Sequence, residues 1–164
     1  MDAPDHLPHA CSRTATRVIL PVLAFAWAST LAGCSSAPDM MLRKFGLVGT
    51  FSDDCSKTIE EGGARAIYEV PARGYPTFTA VNRLGTFRSK IERTDQVGDD
   101  TLIMYVVHPD GAWDEIDIQK EGAGFRTIKM VVHKRNAWHP TITVDAGHTV
   151  GNGVAGLVVE KCSD

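Results

Sequence analysis

From about residue 46 onward the chain is a succession of short β-type runs, each ended by turn chemistry, with no long helical pattern between them. Gly85 to Thr94 sets Phe87, Ser89 and Ile91 against Arg88, Lys90 and Glu92, the alternation of a half-buried antiparallel strand. Thr101 to Val107 is almost wholly apolar and predicts a strand buried on both faces or paired in mid-sheet. His108-Pro109-Asp110-Gly111 follows as a turn: Pro sets φ at its second position and Gly accepts positive φ at its last. On that reading His108 is a solvated loop residue. Ala112 to Glu121 places Ile116 and Ile118 on one side, and Phe125 to Lys134 places Ile128, Met130 and Val132 inward. Arg126 disturbs the register of that last run. Gly46–Ser52, Ala64–Val70, Tyr75–Arg83, the short Thr141–Val144 and Val154–Cys162 complete the series, and Met40 to Phe45 predicts one helical turn before it. Eight main strands at roughly 8–12-residue spacing predict an all-β fold, an antiparallel barrel or sandwich. Simple hairpin succession favours an eight-stranded up-and-down barrel.

The cysteines bear on closure. Of four, Cys11 and Cys34 lie near the N-terminus, which leaves Cys55 after the first strand and Cys162 at the end of the last. A barrel needs its first and last strands adjacent, and a disulfide needs Cα atoms within about 7 Å. One arrangement meets both requirements, so a Cys55–Cys162 bridge is expected; the alternative is a pair of buried free thiols. No C-x-x-C occurs, which argues against catalytic thiol chemistry.

The first 34 residues have a different character. Arg13 and Arg17 precede the uncharged run Val18 to Ala28, and small residues lead to Leu31-Ala32-Gly33-Cys34. A basic region, a short apolar core and a small-residue cleavage site make a secretory signal. The apolar run is well short of the roughly 20 residues that a membrane-spanning helix needs, and it contains Pro21. Leu31-Ala32-Gly33-Cys34 resembles the lipobox of bacterial lipoproteins. The resemblance implies cleavage before Cys34, a diacylglyceryl group on its thiol and an acylated amine. Two or three acyl chains anchor firmly where one does not. Ser35 stands where that family often carries an inner-membrane Asp, which leans toward the outer membrane, facing the periplasm. The expected organisation is a signal peptide over 1–33, a lipidated Cys34 and tether over 34–44, and a β-barrel domain over 45–164.

The 164 residues less the first 33 leave 131, enough for one domain with a proper core. That part carries 15 basic and 18 acidic residues, interspersed, which argues against nucleic acid as a partner. Gly49-Thr50-Phe51, after a short apolar helix and at the head of a β-meander, resembles the opening strand of lipocalins and calycins, with Phe51 where they typically carry Trp. The likeness extends loosely to barrel-shaped lipoprotein inhibitors of lysozyme. It implies a small antiparallel barrel able to hold an apolar ligand, with Phe87, Ile91 and Tyr105 as candidate lining residues.

The usual signatures of chemistry are missing. The histidines outside the signal, His108, His133, His139 and His148, show neither H-x-x-x-H nor H-E-x-x-H spacing. Asp53-Asp54 and Asp99-Asp100 read as soluble turn pairs rather than a catalytic couple. No G-x-S-x-G, P-loop or G-x-G-x-x-G occurs. The expectation is a non-enzymatic, lipid-anchored envelope protein without metal or cofactor, binding a small apolar molecule or lipid. The alternative is a module that binds an envelope protein through exposed loops such as Trp138-His139-Pro140.

Overall fold

The computed structural model describes residues 37–162. The signal segment and Cys34 lie outside the described residues. A short helix, α1 (Ala37–Phe45), leads into β1 (Gly49–Ser52), β2 (Arg65–Glu69), β3 (Thr77–Asn82), β4 (Gly85–Val97), β5 (Thr101–Val107), β6 (Trp113–Glu121) and β7 (Gly124–His133). Then come β8 (Thr141–Asp145), β9 (His148–Thr149) and β10 (Val158–Lys161). Strands β1 to β7 pair in chain order, and β10 pairs with both β7 and β1. The eight strands β1–β7 and β10 therefore close an antiparallel, up-and-down barrel. Closure satisfies the edges that an open sheet would expose.

The free edge of β7 is shared. Its first part, Phe125 and Arg126, takes β10, while Met130 to Val132 takes β8, which carries β9 as a short hairpin outside the ring. At the β7–β10 seam the backbones run very close. A Cβ on Gly124 would lie 2.5 Å from the Val159 carbonyl oxygen, so only glycine fits there. At the β5–β6 end the expected turn forms: the Gly111 N–H donates to the His108 carbonyl at 3.0 Å, with Gly111 at φ 84°.

Inward alternation is clear in β5, where Leu102, Met104 and Val106 are fully buried. Ile103, Tyr105 and Val107 are only half-buried on the outer face, so of the two expectations for this strand the mid-sheet one holds: it pairs with β4 on one side and β6 on the other and is not buried on both faces. Long outward side chains cover that face: Arg93 lies over the Tyr105 ring at 4.1 Å, and Tyr105 leans on Trp113. Two bulges break the parity elsewhere. In β4 the pairing skips Glu92, so Ile91 and Thr94 are both buried. In β7 it skips Ile128, which places Phe125 and Thr127 inward on one side of the bulge and Met130 and Val132 inward on the other. Ile128 is thus the extra residue, not part of the inward set.

Helix α1 is longer than one turn and belongs to the domain. It starts at Ala37, inside the stretch expected to be tether. Pro38 fits the first turn of a helix, Asp39 complements its N-terminal partial charge, and Arg43 and Lys44 complement the other end. Leu42 and Phe45 are buried with Leu47, and Phe45 stacks on Phe125 at 5.5 Å. Lys44 Nζ donates to Gln96 near the end of β4, and Arg43 donates to the Val70 carbonyl. The helix therefore plugs the end of the barrel at which β1 begins and β4 finishes. A disulfide joins Cys55 and Cys162, with Cα atoms 5.5 Å apart.

Candidate ligand cavity

Inward side chains do not fill the barrel completely. A cavity of about 170 Å³ remains in its interior. Ala66 and Tyr68 from β2 and Phe78 from β3 form one wall, and Ile116 and Ile118 from β6 form the facing one. Phe125, Thr127 and Met130 from β7, Val159 from β10 and Leu47 behind the helix complete it. Thr127 and the Tyr68 phenol are the polar groups of an otherwise hydrocarbon and aromatic surface. Tyr68 sits edge-on to Phe51 and tilts against Phe78, with ring centroids 5.8 and 5.1 Å apart. Burial pushes the Tyr68 phenol well above the ordinary tyrosine range. The raised folded-state pKa means that the contribution of neutral Tyr68 to stability is complete below pH of about 10, the unfolded value, and declines above it. Alkaline titration followed at 295 nm is expected to show Tyr68 ionising only together with unfolding. A phenol at that site titrating near 10 in folded protein would contradict the burial.

One layer nearer the opposite end of the barrel, three polar residues meet. Ser89 Oγ lies 2.7 Å from Nδ1 of His108, whose Nε2 lies 2.9 Å from Asp114 Oδ2. With Nε2–H donating to the carboxylate, Nδ1 of the neutral ring accepts from the Ser89 hydroxyl. Ser89 and Asp114 are 6% and 4% exposed. The His108 side chain is 31% exposed, so the expected solvated turn residue instead bridges β4 and β6. Both partners had a signal in the sequence. Ser89 shares its strand face with Ile91, and Asp114 shares its face with Ile116 and Ile118, so each is a polar residue in an inward series.

The three residues expected to line a cavity do not come together. Ile91 is fully buried in the core. Phe87 has the same inward parity but lies at the rim beside the β3–β4 turn, 54% exposed. Tyr105 faces outward. It belongs to a ladder across the outer surface in which Arg93 covers Tyr105, Tyr105 approaches Trp113, and Trp113 stacks on His133 at 3.5 Å and 5°. Beside that ladder the loop after β7 bounds an open groove of about 370 Å³ with Trp113, His133, Trp138 and His139. Trp138 is 98% exposed. Among the described residues no group of three or more His, Cys, Asp or Glu side chains is placed to hold a metal ion, and no helix is long and apolar enough to cross a membrane.

Compared with known protein families, with curated proteins and with solved structures, the chain finds no match.

Proposed function

We propose that this protein is a lipid-anchored, non-enzymatic component of the bacterial cell envelope whose barrel holds a small apolar ligand. The observation that carries the reading is the interior cavity, with aliphatic and aromatic groups from six of the eight barrel strands or their flanks. Its volume is close to the roughly 150 Å³ of an engineered apolar cavity that stays dry and takes up benzene. A guest the size of one aromatic ring or a short alkyl chain fits; a whole acyl chain does not. The Ser89–His108–Asp114 arrangement has the order of a nucleophile, base and orienting acid. Its serine, however, is buried in mid-strand, without the sharp turn that gathers free backbone N–H groups around a nucleophile. That supports a positioning role over acyl transfer.

Toluene titrated into the protein tests the reading. Saturable shifts of the Met130 methyl and the Tyr68 and Phe78 ring resonances are expected. Tm should rise with ligand concentration, as it must when a ligand binds only the folded state. Toluene that moves none of these signals would rule out the cavity as a binding site.

The anchor is the other half of the proposal. Only Ser35 and Ser36 separate Cys34 from the first residue of α1, and three residues span at most about 11 Å at 3.6 Å each. Lipid on Cys34 would hold the plugged end of the barrel toward the membrane and leave the His108 end facing the compartment. Cys34→Ser is expected to move the protein from the membrane to the soluble fraction. Unchanged fractionation would reject the anchor.

A second reading, docking of an envelope protein, draws support from the exposed Trp138 beside the Trp113–His133 stack. Tryptophan is enriched among residues that dominate interfaces. Trp138→Ala separates the two: it leaves toluene binding intact while weakening any partner held at that groove.

A further inference from the structure

We propose that the groove bounded by the loop after β7 is a binding site for an acidic saccharide, with sugar rings against its tryptophans and carboxylates received by Lys134 and Arg135. This site lies on the outside of the barrel and is independent of any guest in the interior cavity.

Two strand ends and one loop make the groove. Trp113 opens β6, His133 closes β7, and the two pair across the ladder with their rings stacked at 3.5 Å. The chain then runs exposed from Lys134 to Pro140, turned by a hydrogen bond from the Ala137 N–H to the Lys134 carbonyl. Lys134, Arg135, Trp138 and His139 thereby join Trp113 and His133 around about 370 Å³ of space. That is within the roughly 300–1,000 Å³ of small-molecule sites.

Charge decides the class of occupant. The chain has a net charge of −3, yet this groove is lined by two cations and no acidic residue. Lys134 and Arg135 make no ion pair, side-chain hydrogen bond or ring contact among the described residues. Of the other described lysines and arginines, Arg73 alone shares that state. The acidic side chains of the same segments are engaged elsewhere. Asp110, which borders the adjoining depression with Lys134 and Arg135, accepts from the Ala112 N–H. Glu115, on the outer face of β6, pairs with Lys129.

Hydrogen-bonding capacity points the same way. Lysine, arginine and tryptophan side chains only donate, so the histidine rings are the only side-chain acceptors in the lining. The complementary ligand is anionic and rich in acceptor oxygens. The aromatic faces add a second requirement, a flat apolar surface to lie on them. An aromatic face is the negative side of a quadrupole, which the C–H face of a sugar ring complements. The ring and hydroxyl oxygens of the sugar accept, and a carboxylate fits the guanidinium fork of Arg135. An acidic peptide supplies the charge without the ring faces. The groove lies at the end of the barrel away from α1, so lipid on Cys34 would not bring headgroups to it.

Trigalacturonate, its methyl ester and triglutamate separate these features: rings with charge, the same rings without it, and charge without rings. Each is titrated into wild-type protein and into Arg135→Gln, Lys134→Gln and Trp138→Ala variants, all at exposed positions, with the fold checked by Tm. Trigalacturonate should bind saturably and shift the Trp138 indole N–H resonance. The methyl ester and triglutamate should each bind at least about tenfold more weakly. Arg135→Gln and Lys134→Gln should weaken trigalacturonate about tenfold and leave the methyl ester within about threefold. Trp138→Ala should weaken both saccharides and leave triglutamate unchanged. Trigalacturonate that moves no groove resonance overturns the proposal. Triglutamate binding as tightly as trigalacturonate, with Trp138→Ala without effect, also overturns it and assigns the groove to an acidic protein segment. Toluene binding in the cavity is unaffected by either result.

Discussion

Phe125→Ala is expected to lower stability by about 3–5 kcal/mol, at the upper end for a single truncation in this barrel. Phe125 is where three parts of the fold meet. It stacks on Phe45 of the helical plug and sits edge-on to Phe51 of β1, each with ring centroids 5.5 Å apart. Its backbone pairs with Val159 across the seam that closes the ring. Phe51 in turn contacts Tyr68, and Tyr68 contacts Phe78, so five rings run from the plug along one side of the interior. Truncation removes two aromatic pairs, each worth about 0.5–1.5 kcal/mol beyond the area they bury. It also opens new volume beside an existing cavity. The cost of a large-to-small change rises with the space left empty, and a wall that already borders a void has little to collapse onto it. Urea unfolding measures the effect directly, with a fall in Tm on the order of 10 °C expected alongside. A loss under about 1 kcal/mol would mean that the plug is not seated on Phe125. Phe45→Ala should cost a similar amount, and the double variant less than the sum, because both remove the same stack.

That junction shows what the sequence could and could not disclose. Gly49-Thr50-Phe51 was legible as the opening strand because a glycine and a buried aromatic follow a short apolar helix. The ring of hairpins was legible because each turn carries its own Gly, Pro or Asp chemistry. Tyr105 was misplaced as a lining residue although Leu102, Met104 and Val106 share the other parity of the same strand. An apolar face covered by an arginine looks, in sequence, like a buried one. Ile128 was placed inward because a bulge has no local signature; the skipped residue shows only once β6 is beside it. His108 followed from a turn motif that does form, yet its ring turns back to residues 19 positions before it and six after it. Spacing along one strand cannot reveal a cluster assembled from three segments. The cavity was out of reach for a different reason. Whether an eight-stranded barrel is filled or hollow depends on the summed volume of side chains from every strand, not on any one residue type.

Removing the Cys55–Cys162 disulfide is expected to cost about 2–5 kcal/mol, the usual range for a native bridge in a small domain. The two cysteines are 107 positions apart, so the bridge constrains most of the unfolded domain. The chain-entropy model places a loop of roughly 100 residues at about 4.7 kcal/mol. The fold supplies a further, local reason. The closing strand β10 is four residues long and pairs through two residues on each side: Val158 and Val159 with β7, Glu160 and Lys161 with β1. Cys162 follows at once, its N–H donating to the Thr50 carbonyl at 2.8 Å. The two shortest strands of the ring, β1 and β10, four residues each, are thus followed by the two ends of the only disulfide among the described residues. A Cys55→Ala/Cys162→Ala variant should unfold at lower denaturant, and its β10 amides should exchange hydrogen faster than those of β5 and β6. Local opening there would also loosen Val159, a wall of the cavity, so toluene should bind more weakly while the domain is still folded. Stability within 1 kcal/mol of the oxidised protein, with β10 equally protected, would show that the seam closes on its strand pairing alone.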